Sequence, residues 1–155
     1  QNRGLVKKTY WAVVDSRPPK YQDTLEHYLK KNEEKNKSFA CEKSVPGAKY
    51  AKLSYRHVAS AERYHLLEIE LHTGRHHQIR VQLKQIGLNI KGDTKYGFPR
   101  PNADKGIHLH ARKIEFVHPV KNEPLTILAD PPDDVLWNEF MNLFRSNRFS
   151  PVSPV

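Results

Sequence analysis

The chain has 155 residues, enough for one compact domain that buries a core without disulfides or a structural metal. Its 26 Lys and Arg against 17 Asp and Glu give a formal net charge of +9, a field that favours a polyanionic partner such as nucleic acid. Cys41 is the single cysteine, which excludes an internal disulfide framework and any multi-cysteine zinc site.

A reducing, cytoplasmic setting is the natural expectation. No apolar run approaches the roughly twenty residues that span a bilayer, and QNRGLVKKTY carries no apolar signal region. No membrane association is expected.

In chain order, Thr9 to Val14 is aromatic and β-branched and stops at Pro18-Pro19, as a buried strand does. A core strand so close to residue 1 leads us to expect a further segment upstream. Thr24 to Leu29 and Ser38 to Glu42 flank the polar run Lys30 to Lys37 and read as a hairpin with a solvated tip, with a helical tip as the alternative. Ala51 to Ala59 and Tyr64 to Leu71 alternate apolar and polar residues across the short link Ser60 to Arg63, giving a second hairpin.

The period then changes. Ile79, Leu83 and Ile86 recur at helical spacing, so a helix is expected over Thr73 to Ile86 with Thr73 as N-cap and Gly87 as stop. Gly92 to Gly106 reads as a loop, Leu109 to Val117 and Leu125 to Leu128 as strands, and Asp134 to Phe144 as a closing amphipathic helix. A single domain over 1–149 with a disordered tail over 150–155 follows. The fold class is α+β, a largely antiparallel mixed sheet with one central and one C-terminal helix.

The densest polar cluster is Thr73-Gly74-Arg75-His76-His77-Gln78-Ile79-Arg80. On a helical wheel Arg80 lies beside the apolar stripe, with His76 and Lys84 one turn to either side, a basic ridge suited to a carboxylate or phosphate. Arg75 falls near the positive helix N-terminus. The alternative is an ordinary solvated basic face. His76-His77 and His108-x-His110 invite a metal, but adjacent helical histidines diverge by about 100° and cannot readily share one ion, so no metal site is expected. No nucleophile elbow, phosphate loop or dinucleotide fingerprint is present. Tyr10, Trp11, Tyr55, Tyr96 and Phe98 offer faces on which bases stack, or fill the core, as expected of Trp11.

The run Leu67 to Leu83 resembles the L-x-T-G-R-x-H-Q-I-R motif of the RluA-type RNA pseudouridine synthases. Lys8-Thr9-Tyr10-Trp11-Ala12-Val13-Val14, Gly92-Asp93-Thr94-Lys95-Tyr96-Gly97, and Leu109-His110-Ala111 with His118-Pro119 follow in that family's order.

The resemblance implies isomerisation of uridine to pseudouridine in structured RNA, rRNA or tRNA, without a cofactor and on a pseudouridine-synthase-like fold. It makes Tyr10 the tyrosine against the target base, Arg80 the partner of the catalytic aspartate and Ile79 a pocket-lining residue. Arg75, His77 and Gln78 are motif positions near the substrate, and Lys8 and Lys84 are candidate RNA contacts. The family's aspartate lies in an H-R-L-D motif upstream of the tyrosine strand, which these residues do not contain. The chain is therefore expected to be a partial catalytic domain, inactive alone, with Arg80 solvated or on another anion. The competing expectation is a non-catalytic RNA-binding module on the same fold.

Overall fold

The computed structural model describes residues 6–148. Its strands are β1 (Lys7–Val14), β2 (Gln22–Asn32), β3 (Lys37–Cys41), β4 (Lys49–Ala61), β5 (Tyr64–Leu71), β6 (Leu109–Val117) and β7 (Pro124–Leu128), with helices α1 (Gln78–Gln85) and α2 (Val135–Arg148). The strands form one sheet of order β3-β2-β4-β5-β1-β6-β7, and every pairing between these strands is antiparallel. The α+β class expected from the sequence is the one observed. The tail expected to be disordered, 150–155, lies outside the described residues.

The two hairpins follow from local chemistry. The first turns at Glu33 to Asn36, where Asn36 takes a positive φ of 48° and the Lys35 N–H donates to Asn32 Oδ1 at 3.1 Å, so the polar tip is a turn, not a helix. The second turns through Glu62, at φ 58°.

Alternation along β1 divides the core between the two faces of the sheet. Tyr10, Ala12 and Val14 face α1, packing with Leu25, Leu53, Leu67, Ile69, Ile79 and Leu83. Trp11 and Val13 face the other way, against Trp137, Phe140 and Met141 of α2. Phe140 is fully buried, a position where truncation to Ala costs about 3–5 kcal/mol. Asp134 caps α2: its Oδ2 accepts the Trp137 N–H at 3.0 Å and the His108 Nε2–H at 2.9 Å. Among the described residues no helix is long and apolar enough to cross a membrane.

The stop of α1 is as expected. Gly87, at φ 87°, donates to Lys84 O at 2.9 Å and Leu88 donates to Leu83 O at 3.0 Å, a Schellman closure that needs the left-handed residue. The start is different. The helix begins at Gln78, not Thr73, and His77 precedes it at φ 54°.

Candidate active site

The late helix start is explained by Gln78. Its Oε1 accepts the Thr73 hydroxyl and the Arg75 N–H, both at 2.9 Å, and its Nε2 donates to Lys52 O at 3.1 Å. One buried amide thus ties the Thr73 hydroxyl and the Arg75 N–H to a β4 carbonyl, and residues 73–77 form a tight loop anchored to the sheet. Gln78 Nε2 also donates to Gln82 Oε1 at 2.8 Å, and Gln82 Nε2 donates to Leu25 O at 3.2 Å. Two buried glutamines, 3% and 0% exposed, therefore fasten α1 to β2 and β4. Gln78, a candidate substrate contact in the sequence reading, is therefore buried, with its amide bonded to Thr73, Arg75, Lys52 and Gln82. The motif itself gave no hint that its glutamine would be spent on the backbone.

The same loop moves Arg75, His76 and His77 off the helix. Arg75 is exposed, with its Nε–H donating to Tyr50 O at 2.7 Å, so it is held by β4 and not by a helix terminus. The rings of His76 and His77, expected to diverge, stack with centroids 3.8 Å apart.

Arg80 lies on α1 beside Ile79. Its Nε–H donates to Asp93 Oδ2 at 2.9 Å and its Nη2–H to Asp93 Oδ1 at 2.7 Å, a side-on bidentate pair. The guanidinium carbon stands 4.8 Å from the Tyr96 ring centroid. Asp93 is 2% exposed at its side chain and Arg80 18%. Thus Arg80 has found another anion, one of the two outcomes expected of it, and that anion is thirteen residues further along the chain. Gly92 permits this: it has φ 87°, and a Cβ there would meet the Asn102 amide and, at 2.9 Å, Gly106 O.

His77 completes the arrangement. Its Nε2 lies 3.2 Å from Arg80 Nη1 and its Nδ1 2.7 Å from Tyr96 Oη. A guanidinium only donates, so Nε2 is the acceptor and the proton sits on Nδ1, donated to Tyr96. Burial, and then the Arg80 charge, hold the His77 pKa down at about 4, so the ring is neutral at pH 7 and this proton assignment is stable. Tyr96 Oη also accepts the Ser38 N–H at 2.8 Å.

Of the five N–H bonds of Arg80, Asp93 and His77 take three. Two remain on the terminal nitrogens without an acceptor among the described residues. The side chain is thus fixed by one carboxylate and retains donors for a second anion.

The other site positions distribute as follows. Tyr10 is half-buried at a register shift between β1 and β6, and it packs against the same core cluster as Ile79. Among the described residues no hydrogen bond or cation–π contact joins it to the Arg80 guanidinium, which meets Asp93, His77 and Tyr96. Ile79 is 4% exposed. Lys8 and Lys84 are exposed, and Lys84 Nζ donates to Asn89 Oδ1 at 3.3 Å. Trp11, Tyr55, Tyr96 and Phe98 are all buried, at 7% exposure or less; as stacking platforms Tyr55, Tyr96 and Phe98 are ruled out, because burial leaves no open ring face. Sequence reasoning assigned Asp93 to a matching motif but missed it as the partner of Arg80. Its position in a loop away from α1 carried no periodic signal.

A cavity of about 530 Å³ lies elsewhere, lined by Thr9, Ser54, Arg56, Glu68 and Glu70. It opens on the α2 side of the sheet, since Thr9 and Tyr10 alternate. Arg56 and Glu68 pair across it at 2.8 Å. None of the motif residues around Arg80 lines it.

The sequence profile of the RNA pseudouridylate synthase family matches residues 1–85. An uncharacterized RNA pseudouridine synthase of Bacillus subtilis, YhcT, is 32% identical over 133 residues, covering 84% of this chain and 42% of that protein. The tRNA pseudouridine synthase C of Haemophilus influenzae is 36% identical over 89 residues, covering 53% of this chain and 36% of that protein. The chain spans about two fifths of the length of the first of these relatives. Among solved structures, the human RNA pseudouridylate synthase domain containing 4 superposes with a TM-score of 0.69 at 21% identity, covering 90% of this chain and 62% of that one. At that identity the superposition speaks to the fold alone.

Proposed function

Because the chain belongs to the RNA pseudouridylate synthase family, we propose that it supplies the base-binding half of an RluA-type site that isomerises uridine in structured RNA, rRNA or tRNA. In that reaction the N1–C1′ bond of the nucleoside breaks, the uracil turns, and C5 bonds to C1′. The C5 proton departs and N1 gains one, so the atoms balance without redox change or cofactor. A carboxylate must act, and the H-R-L-D aspartate of the family would come from a segment N-terminal to β1, outside these 155 residues.

The observation that carries this reading is the state of Arg80: locked side-on by Asp93, with two donors to spare, next to Ile79 in the core cluster that also holds Tyr10. A second carboxylate arriving at the outer nitrogens would be kept ionised and oriented at little ordering cost. Tyr10 would pack on the flipped base and Ile79 would line its pocket; extrusion of the base is offset by stacking and backbone contacts. His77 acts through Arg80 and is a positioning residue. Lys8, Lys84 and Arg75, all exposed, would contact phosphates.

The test is tritium release from RNA labelled at uridine C5, using unfractionated tRNA and rRNA. We compare this chain, a longer protein carrying the H-R-L-D segment, the same protein with that aspartate changed to Ala, and the longer protein with Arg80→Met. Activity of the longer protein alone is expected. Turnover by the 155-residue chain overturns the assignment of the nucleophile, and an inactive longer protein that still binds RNA favours a binding module.

A further inference from the structure

A second basic feature lies beside the Arg80 network. Lys30, Lys31, Lys49, Gly74, Arg75 and His76 line a cavity of about 300 Å³ between the β2–β3 hairpin and the 73–77 loop. The one carboxylate on its wall is Glu33, whose side chain is 83% exposed and lies 3.4 Å from Lys31. Among the described residues Lys30, Lys49 and Arg75 have no carboxylate within ion-pair distance. Four cations and one acid at the rim concentrate a positive potential in a concave wall, where it focuses on an anion more strongly than on an open face.

The pocket is also partly preorganised. Arg75 is pinned through its Nε–H to Tyr50 O, which leaves its terminal nitrogens as the mobile end. The Lys30 stem lies over Gly47, where a Cβ would touch its Cε at 3.4 Å. His76 is held between Ser38, at 2.8 Å from Nδ1, and Asn36, at 3.2 Å from Nε2. Its ring stacks on His77, which touches Arg80. Two imidazoles therefore separate this pocket from the guanidinium assigned to the reaction.

We propose that this pocket is a phosphate subsite, in which Lys30, Lys49 and Arg75 seat a backbone phosphodiester of the RNA strand flanking the target uridine. The subsite rests on the RNA reading above and adds the location of a strand contact to it. Lysines act here as point charges and Arg75 as the directional donor. The site takes the strand by its phosphate, so it fixes position along the RNA without reading base identity.

The test is fluorescence anisotropy with end-labelled unfractionated tRNA and a single-stranded oligouridylate, across a salt series. Lys30→Gln/Lys49→Gln is compared with Lys20→Gln/Lys121→Gln, which removes the same charge away from the pocket, and circular dichroism checks that both variants fold. The pocket variant should weaken binding about tenfold and lower the slope of log K against log salt by about 1–2, against a markedly smaller change for the control. In a second measurement on the unaltered protein, RNA should shield Lys30 and Lys49 from acetylation more than Lys20 and Lys121. Equal losses in the two variants, or equal acetylation, overturn the subsite while RNA binding stands. Absence of salt-dependent binding by the unaltered chain would remove the RNA reading itself, and the subsite with it.

Discussion

Asp93→Asn tests whether Asp93 is the anchor of Arg80. The substitution keeps the shape of the side chain but replaces one acceptor oxygen with an NH₂ that faces the guanidinium. One of the two charged hydrogen bonds, at 2.9 and 2.7 Å, is lost and the arginine is left without its counter-charge. Removing one partner of a buried pair costs about 3–5 kcal/mol. Arg80 retains 18% exposure, and water relieves part of the penalty, so a loss of about 3 kcal/mol is expected. In urea unfolding with m near 2 kcal/mol per M, the midpoint should fall by about 1.5 M at unchanged m. Replacing both partners, Asp93→Leu with Arg80→Met, should bring stability back to within about 1 kcal/mol of the starting protein, because no orphan charge remains. A loss under about 0.5 kcal/mol for Asp93→Asn would refute the reasoning, since it would mean that solvent and not Asp93 holds the arginine.

Acid should destabilise the fold through its histidines. For His77 the folded pKa, about 4, is below the ordinary 6.5, so the unfolded chain binds the proton first and stability falls as pH drops below 6.5, the contribution being fully lost below 4. The shift sets a ceiling of about 3 kcal/mol, which partial solvent screening lowers to roughly 1–2 kcal/mol; His77→Gln should flatten the dependence of urea stability on pH between 7.5 and 5, and parallel curves would contradict it. Gln82→Glu should destabilise more than Gln82→Leu, because a carboxylate would face the Leu25 and Ala51 carbonyl oxygens at 3.2 and 3.4 Å, whereas leucine only forfeits the bonds. Thermal melts of the two variants in the reverse order would show that the glutamine amide is not the donor assigned to it.

Much of this molecule was legible in its sequence. Alternation placed Leu53 and Tyr55 on one face of β4 and Ile69 beside them on β5, while Gly87 and Asp134 marked one helix end each, because these signals depend on a residue and its immediate neighbours. The helical spacing of Ile79, Leu83 and Ile86 placed Ile79 and Arg80 on one helix. What the sequence could not give was the partner of each polar group. Thr73 reads as an N-cap, yet its hydroxyl goes to Gln78 and the helix waits until residue 78, since the amide that holds the 73–77 loop is itself anchored on Lys52 O of β4, a contact only the tertiary fold supplies. Arg80 carries a cation whichever way the chain folds. That its fork meets Asp93, and not solvent, was decided by the loop through Gly92 that returns Asp93 to the helix, because desolvating an arginine requires a carboxylate at contact distance and only tertiary packing sets that distance.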